Sequence, residues 1–553
     1  MNISLSNLYP LAWCFSACLF FGVAVNAAAS ASPAIVPQPV ELREHEGTFS
    51  IDKDTLVVAQ GKAADEARKL IDALAPATGF ALQLVEDDEL RTDAIHLRLR
   101  EELLEDVGEE GYLLEVKTKH VDLQAARPAG LFYGIQTIRQ LLPPAIFACE
   151  AVTDEEWTMP SLTIRDYPRF DWRGLLVDPA RHFLPKIQLL EFLEWMALHK
   201  FNSLQLHLTD DQGWRIEIRE YPLLTDIGAW RQETLKGHVN DEPHVYDGRT
   251  HGGYYTQEDI REIVAHAKDR HINVVPEIEM PGHARAAIAA YPHLGVFPDK
   301  QRDLEPWARW GISEHIFSPR PETIAFLQDV LVEVMALFPS EFIHIGGDEA
   351  IKDHWKRSQE VQTQMDELGL ANEEELQGWF IKQMNAFLAE HDRRLIGWDE
   401  ILEGGLAPGA TVMSWRGEQG GIAAARKGHD VVMAPTQYTY LDYYQGPPND
   451  EPLAIGGMIT LEDIYSYEPI PEELADPEAK HVLGAQAQLW SEYIPNFSHL
   501  QYMAYPRACA FAEVVWSKSV DRDYDAFKNR LRRHLSRLDN LDIRYRPLTG
   551  SSR

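Results

Sequence analysis

The chain has 553 residues, 45% of them hydrophobic, which is enough for two or more domains or for one large barrel with an accessory domain. Its 86 acidic residues against 52 basic ones give a formal charge of −34. Phosphate recognition needs clustered Lys and Arg, so the balance argues against nucleic acid and against an anionic membrane surface, and a neutral or cationic ligand fits better. Solubility alone also accounts for the charge.

The first 28 residues carry no charged side chain, and Leu8 to Val25 is largely apolar. The stretch ends in the small-residue segment Val25-Asn26-Ala27-Ala28-Ala29, the pattern of a secretory signal, so residues 1–28 are expected to be a leader and the mature chain a periplasmic or extracellular protein. No Lys or Arg precedes the apolar stretch and Pro10 interrupts it, which leaves a retained anchor as the alternative; Phe15-Ser16-Ala17-Cys18 loosely resembles a lipoprotein site. Of four cysteines, Cys14 and Cys18 lie in this leader, while Cys149 and Cys509 are too far apart in sequence to form a disulfide framework or a metal-ligand spacing.

Residues 33–160 alternate short apolar strands, such as Thr55 to Ala59 and Ala94 to Leu99, with helical stretches around Ala63 to Thr78 and Gly130 to Leu142. This pattern predicts a small α+β domain. From Ile164 the period changes, and apolar runs of five to seven residues alternate with longer amphipathic segments, as parallel βα units do. Eight runs can be counted: Gly174 to Val177, Ser203 to Leu208, Ile272 to Ile278, Phe342 to Ile345, Leu395 to Trp398, Thr411 to Trp415, Val431 to Ala434 and Leu483 to Leu489. Eight predicts a (β/α)8 barrel over 164–545, an α/β architecture. Helices are expected at Lys186 to His199, Gln257 to Arg270, Pro321 to Phe338, Glu373 to His391 and Gly420 to Lys427, then a single helix from His499 to Glu513 and a covering helix with Phe527, Leu531, Leu535 and Leu538 on one face. The segment 435–480 is long, aperiodic and rich in Pro, Gly, Tyr and Asp, as functional loops are.

Residues at the carboxyl ends of barrel strands share one mouth, so they can be read together. The fourth run continues into Gly346-Gly347-Asp348-Glu349. Two adjacent acids after a buried strand read either as a helix cap with its first turn or as a catalytic pair in which one carboxyl is pushed upward by its neighbour. The other strand ends supply Asp178, Arg181 and His182; Asp210 and Asp211; Glu277, Glu279 and His283; Trp398, Asp399 and Glu400; Trp415 and Arg416; Tyr438, Tyr440 and Asp442; Trp490 and Glu492. Indole faces stack on sugar C–H faces while carboxylates and Arg bind hydroxyls, so acids mixed with tryptophans at one mouth point to carbohydrate. No helix carries a zinc-type His spacing. No metal or cofactor is expected.

Together these residues resemble glycoside hydrolase family 20, the β-N-acetylhexosaminidases. The resemblance rests on Trp172-Arg-Gly-Leu-Leu-Val-Asp178, Arg181-His-Phe183, His207-Leu-Thr-Asp-Asp-Gln-Gly-Trp-Arg215, Pro276-Glu-Ile-Glu-Met-Pro-Gly-His283 and His344-Ile-Gly-Gly-Asp-Glu349, with Gly130-Leu-Phe-Tyr-Gly-Ile-Gln-Thr-Ile-Arg-Gln-Leu141 in the first domain. It implies an exo-acting, retaining hydrolase of terminal N-acetylhexosaminides in which the substrate's own acetamido carbonyl is the nucleophile. It further implies that Glu349 is the general acid and then the base, that Asp348 orients the acetamido group, and that Asp210 and His283 support Glu349, with Asp211 the alternative to Asp210. By the same resemblance Arg173 and Glu492 bind ring hydroxyls, Trp379, Trp398 and Trp490 wall the acetamido pocket, Tyr440 donates to the carbonyl and Asp442 sits near the 6-hydroxyl. Glu279 departs from the family, which more often has Asp there. A catalytically silent sugar binder and a disaccharide-releasing enzyme are the alternatives.

Overall fold

In the computed structural model, residues 33–548 are described. The expected leader and its cysteines lie outside them. The first domain is a seven-stranded mixed sheet ordered Glu41–Ser50, Thr158–Asp166, Tyr112–Lys117, His120–Ala125, Ala94–Leu99, Leu56–Val58 and Gln83–Val85. Alternation selects its buried face: in Tyr112–Lys117, Tyr112, Leu114 and Val116 are buried and the residues between them are not. Helices Lys62–Thr78 and Pro128–Leu141 cover that face. Leu131, Ile135 and Ile138 supply the apolar stripe of the second helix.

Thr158–Asp166 belongs wholly to this sheet, pairing antiparallel with both Glu41–Ser50 and Tyr112–Lys117. The domain boundary therefore falls between Asp166 and Trp172 and not at 160–164, because a strand with ladder partners on both sides cannot be divided without orphaning its backbone groups.

The eight predicted runs form one closed parallel barrel, with strands Trp172–Val177, Ser203–His207, Asn273–Glu277, Phe342–His344, Arg394–Trp398, Thr411–Ser414, Val431–Met433 and Val482–Leu489 in that order. The crossover helices Lys186–Leu198, Gln257–Asp269, Pro321–Leu337, Glu373–Glu390 and Gln419–Ala425 fall where the periodicity put them. Segment 435–480 holds only short helices, at Thr436–Thr439, Leu461–Ser466 and Asp476–Ala479, with a 3-10 turn at Pro448–Asp450.

The single helix expected from His499 to Glu513 is two helices, Phe497–Ala504 and Arg507–Trp516. Pro506 lacks the N–H needed to continue the first. The covering helix spans Tyr524–Asn540, and its Arg537 donates to the carbonyls of Ala34 and Gln140, tying the barrel's last helix to the first domain.

Candidate active site

The Gly346-Gly347 pair turns the chain out of the fourth barrel strand with φ of 66° and 95°, a region open mainly to glycine. A Cβ on Gly346 would lie 1.7 Å from Oε2 of Glu279, so only glycine lets this turn pack on the third strand's end. The turn delivers Asp348 and Glu349 to the mouth. The next helix starts at Asp353 and Glu349 itself has φ 47°, so the pair does not cap a helix.

Nine of the eleven predicted site residues line one cavity of about 300 Å³: Asp210, His283, Asp348, Glu349, Trp398, Tyr440, Asp442, Trp490 and Glu492. At its acid end, the buried imidazole of His283 lies between two carboxylate pairs. Nδ1 is 3.1 Å from Oδ1 of Asp210, and Nε2 is 3.5 Å from Oε2 of Glu349 and 3.7 Å from Oδ2 of Asp348. Burial alone would lower the His283 pKa, but the charge of Asp210 and hydrogen bonds to its neighbours raise it well above the usual range, so the ring is an imidazolium. Between Asp210 and Asp211 the geometry separates the roles. Asp211 accepts backbone N–H groups of Arg285 and Ser313, whereas Asp210 faces the cavity and binds His283, His207 and Arg181.

Asp348 is held by burial, against the pull of His283 and with the repulsion of Glu349, at a pKa of about 6. Its Oδ1 is buried without a hydrogen-bond partner. Beneath it stands Glu279, 2% exposed with neither carboxyl oxygen hydrogen-bonded, and burial plus the charges of Asp348 and Glu277 push its pKa well up, so it is a neutral acid. Glu277, by contrast, is fully satisfied. It accepts from Gln205, His207 and the indole N–H of Trp398, with Nδ1 of His344 3.0 Å from its Oε1, and the two histidines overcome burial to keep it charged. That indole bond fixes the Trp398 ring in the wall of the cavity.

The aromatic wall is Trp398, Trp490, Tyr440 and Trp415. Trp398 and Trp490 lie 5.8 Å apart at 47°, and Trp415 stacks on Tyr440 at 6.4 Å and 27° while its N–H donates to Glu400. At the opposite end, burial and the charge of Glu492 raise Asp442, whose Oδ1 is also without a partner, and burial raises Glu492 against the guanidinium of Arg181. Arg181 is clamped by Asp210 at 2.6 Å and Asp178 at 3.2 Å, with its guanidinium 5.1 Å from the Trp490 ring centroid.

Two predicted residues are elsewhere. Arg173 is the second residue of the first barrel strand, so it stands at the amino end, about 16 Å of extended chain from Asp178 at the mouth. All of its donors are spent there: on both oxygens of Glu110, on the carbonyls of Lys200 and Phe170, and on the Tyr133 hydroxyl. Trp379 sits on the helix Glu373–Glu390 outside the barrel, packed on the small cluster of Val296, Ile316, Trp355 and Leu376. The amino end of that helix abuts the mouth, with Gln377 donating to the carbonyl of Gly347, but Trp379 is not among the residues that line the cavity. Arg181 and Trp415 occupy the cavity positions in their stead, and both stood among the strand-end residues of the sequence.

Among the described residues no helix is long and apolar enough to cross a membrane. Family models described as "Glycosyl hydrolase family 20, catalytic domain" and "Glycosyl hydrolase family 20, domain 2" match residues 170–519 and 32–167. A β-hexosaminidase of Porphyromonas gingivalis is 44% identical over 92% of this chain, which spans 64% of that relative's length. The solved family 20 β-N-acetylhexosaminidase of Streptomyces coelicolor superposes with a TM-score of 0.80 at 30% identity, covering 94% of this chain and 98% of the other. An exo-β-N-acetylglucosaminidase of Vibrio harveyi, solved with N-acetylglucosamine, gives 0.81 at 32%, covering 93% and 78%. With both domain models matched in order on a barrel whose mouth gathers these acids and indoles, the chain belongs to glycosyl hydrolase family 20, the β-N-acetylhexosaminidases.

Proposed function

We propose that the cavity hydrolyses terminal non-reducing β-linked N-acetylglucosamine, from chitooligosaccharides or glycans, with retention at the anomeric carbon. The observation that carries this reading is the pair of adjacent, unequal carboxyls: Asp348 half-buried with a buried, unpartnered Oδ1, and Glu349 at 32% side-chain exposure against 14% for Asp348. A buried unpartnered carboxylate calls for a donor, and an acetamido N–H supplies one while favouring the charged form. Held so, the acetamido carbonyl oxygen bonds to C1 as the C1–O glycosidic bond breaks, and Glu349 gives its proton to the departing oxygen. The resulting oxazolinium carries positive charge that Asp348 offsets. Water then attacks C1, Glu349 takes its proton, and the acetamido group is restored.

Trp398, Trp415 and Trp490 with Tyr440 wall the acetamido group, Arg181 and Glu492 bind ring hydroxyls, and Asp442 serves the 6-hydroxyl end. Asp210 holds His283 in place against Glu349. The chemistry supplied by these side chains needs no metal. Glu349→Gln should cost about 10²–10⁴-fold in kcat/KM on a sugar leaving group and less on an aryl one. Asp348→Asn should slow both alike; turnover of N-acetyl substrates by this variant at the wild-type rate would refute substrate assistance. We also propose that the chain is exported, on the strength of its uncharged apolar leader, and the amino-terminal sequence of the mature protein tests this.

A further inference from the structure

The cavity separates charge from apolar surface by depth. Its acids, His283 and Arg181 are buried or half-buried. The lining residues exposed to solvent are Gly311, Ile312 and Ile455, with Ile312 43% and Ile455 36% exposed, and half-buried Val239 beside them. These aliphatic residues come from three different loops, those after the third, seventh and second barrel strands. Exposed Ile side chains are costly to keep in water without a use, by about 25 cal/mol per Å².

The three loops are also fastened to one another. His238 stacks on Tyr493 at 5.3 Å and 13°, and its Nε2 lies 2.9 Å from the carbonyl oxygen of Ile455. The Tyr493 hydroxyl accepts the backbone N–H of Val239 at 3.0 Å, and Trp310, next to Gly311, packs edge-on against the same Tyr493 ring at 6.3 Å. A single tyrosine from the loop after the eighth strand thus anchors two of the loops directly and the third through His238. The rim is a built surface and its aliphatic face is held in place.

We infer that Val239, Ile312 and Ile455 form the leaving-group subsite, which takes uncharged aglycones through an apolar face: the C–H face of a neutral sugar, or an aryl or alkyl group. This rests on the hydrolase reading above, because Glu349, the more exposed acid of the pair, must face the departing oxygen. The rim offers aliphatic contact in place of hydrogen bonds, so it discriminates against leaving groups that bring a charge to it and is tolerant among neutral ones.

The test compares three N-acetylglucosaminides: the 4-nitrophenyl glycoside, chitobiose and the glycosyl fluoride, whose leaving atom is too small to reach the rim. In Ile312→Asp and Ile455→Asp, kcat/KM should fall roughly tenfold on the first two and stay within about twofold on the fluoride. Ile312→Val should fall little on any. An equal loss on all three substrates, or no loss on the first two, overturns the subsite. Failure of the wild type to turn over any of the three refutes the hydrolase reading itself, a different outcome.

Discussion

The two ends of the barrel both bury charge, yet they are built on opposite rules. At the amino end Arg173 meets Glu110 through two parallel bonds of 2.7 and 2.9 Å, and Lys200 meets Asp166 at 2.8 Å, joining the barrel to the first sheet. Asp166 also accepts from Tyr112, the Trp516 indole and the Val40 amide. At the carboxyl end Asp348 and Asp442 each keep one buried oxygen without a partner, and Glu279 keeps two. At the amino end these satisfied charges specify how the domains dock; at the mouth satisfied groups such as Glu277 fix the walls, and the unpartnered oxygens are stored interaction that a ligand completes. Residue type alone does not distinguish the ends, since an Arg and a carboxylate stand at both.

The largest break of this contrast is Arg173→Ala. It leaves Glu110 facing a low-dielectric seam and should cost about 3 kcal/mol in denaturant unfolding, with KM of the folded enzyme unchanged. Burial alone would raise the Glu110 carboxyl, but Arg173 holds it low. The stability from that depressed pKa is present above the unfolded carboxylate range and is lost as pH falls through the folded value, so wild type and variant should converge in acid. A normal unfolding midpoint with a tenfold higher KM would show that Arg173 reaches substrate after all.

At the mouth the sign reverses. Asp348 titrates at about 6 in the folded chain against an ordinary 3.8, so the folded state binds its proton more tightly and loses stability as pH rises from about 4 to 6. Asp348→Asn should therefore be more stable than wild type by roughly 2–3 kcal/mol at pH 7 and equal to it near pH 4, while losing activity. Thermal melts at the two pH values decide this, and a variant less stable at pH 7 contradicts it.

The smallest test sharpens the map of the wall. Trp415→Ala should lower kcat/KM about tenfold, about 1.4 kcal/mol, whereas Trp379→Ala should leave kinetics unchanged and reduce only the melting temperature. Equal kinetic losses would place Trp379 within reach of the sugar.

The barrel and the first domain were legible in the sequence because their signals are local. Eight apolar runs separated by amphipathic segments dictate parallel βα units, and the Gly346-Gly347 pair marks a turn that side chains would block. Sequence and structure differ where position along a strand or around a helix matters. Arg173 and Arg181 are eight residues apart on one element and its following loop, and both have motif-like surroundings; the direction of the strand sends one to each end of the barrel. Trp379 and Trp415 differ in being on a helix or at a strand end, which the predicted elements already implied. Pro506 breaks the helix expected from His499 to Glu513 in two although the apolar period runs on through it.

What the sequence by itself determined is the architecture, the family motifs and the acid pair, since periodicity and glycine requirements are properties of neighbouring residues. What only the tertiary structure decided is which charges are already partnered. Glu277, Glu279, Asp348 and Glu110 are alike in composition, and one is charged and saturated, one neutral and unbonded, one poised near pH 6 and one locked to an arginine. Those states follow from burial and from partners brought in by distant segments, because desolvation and Coulomb energies depend on distance in space and not along the chain.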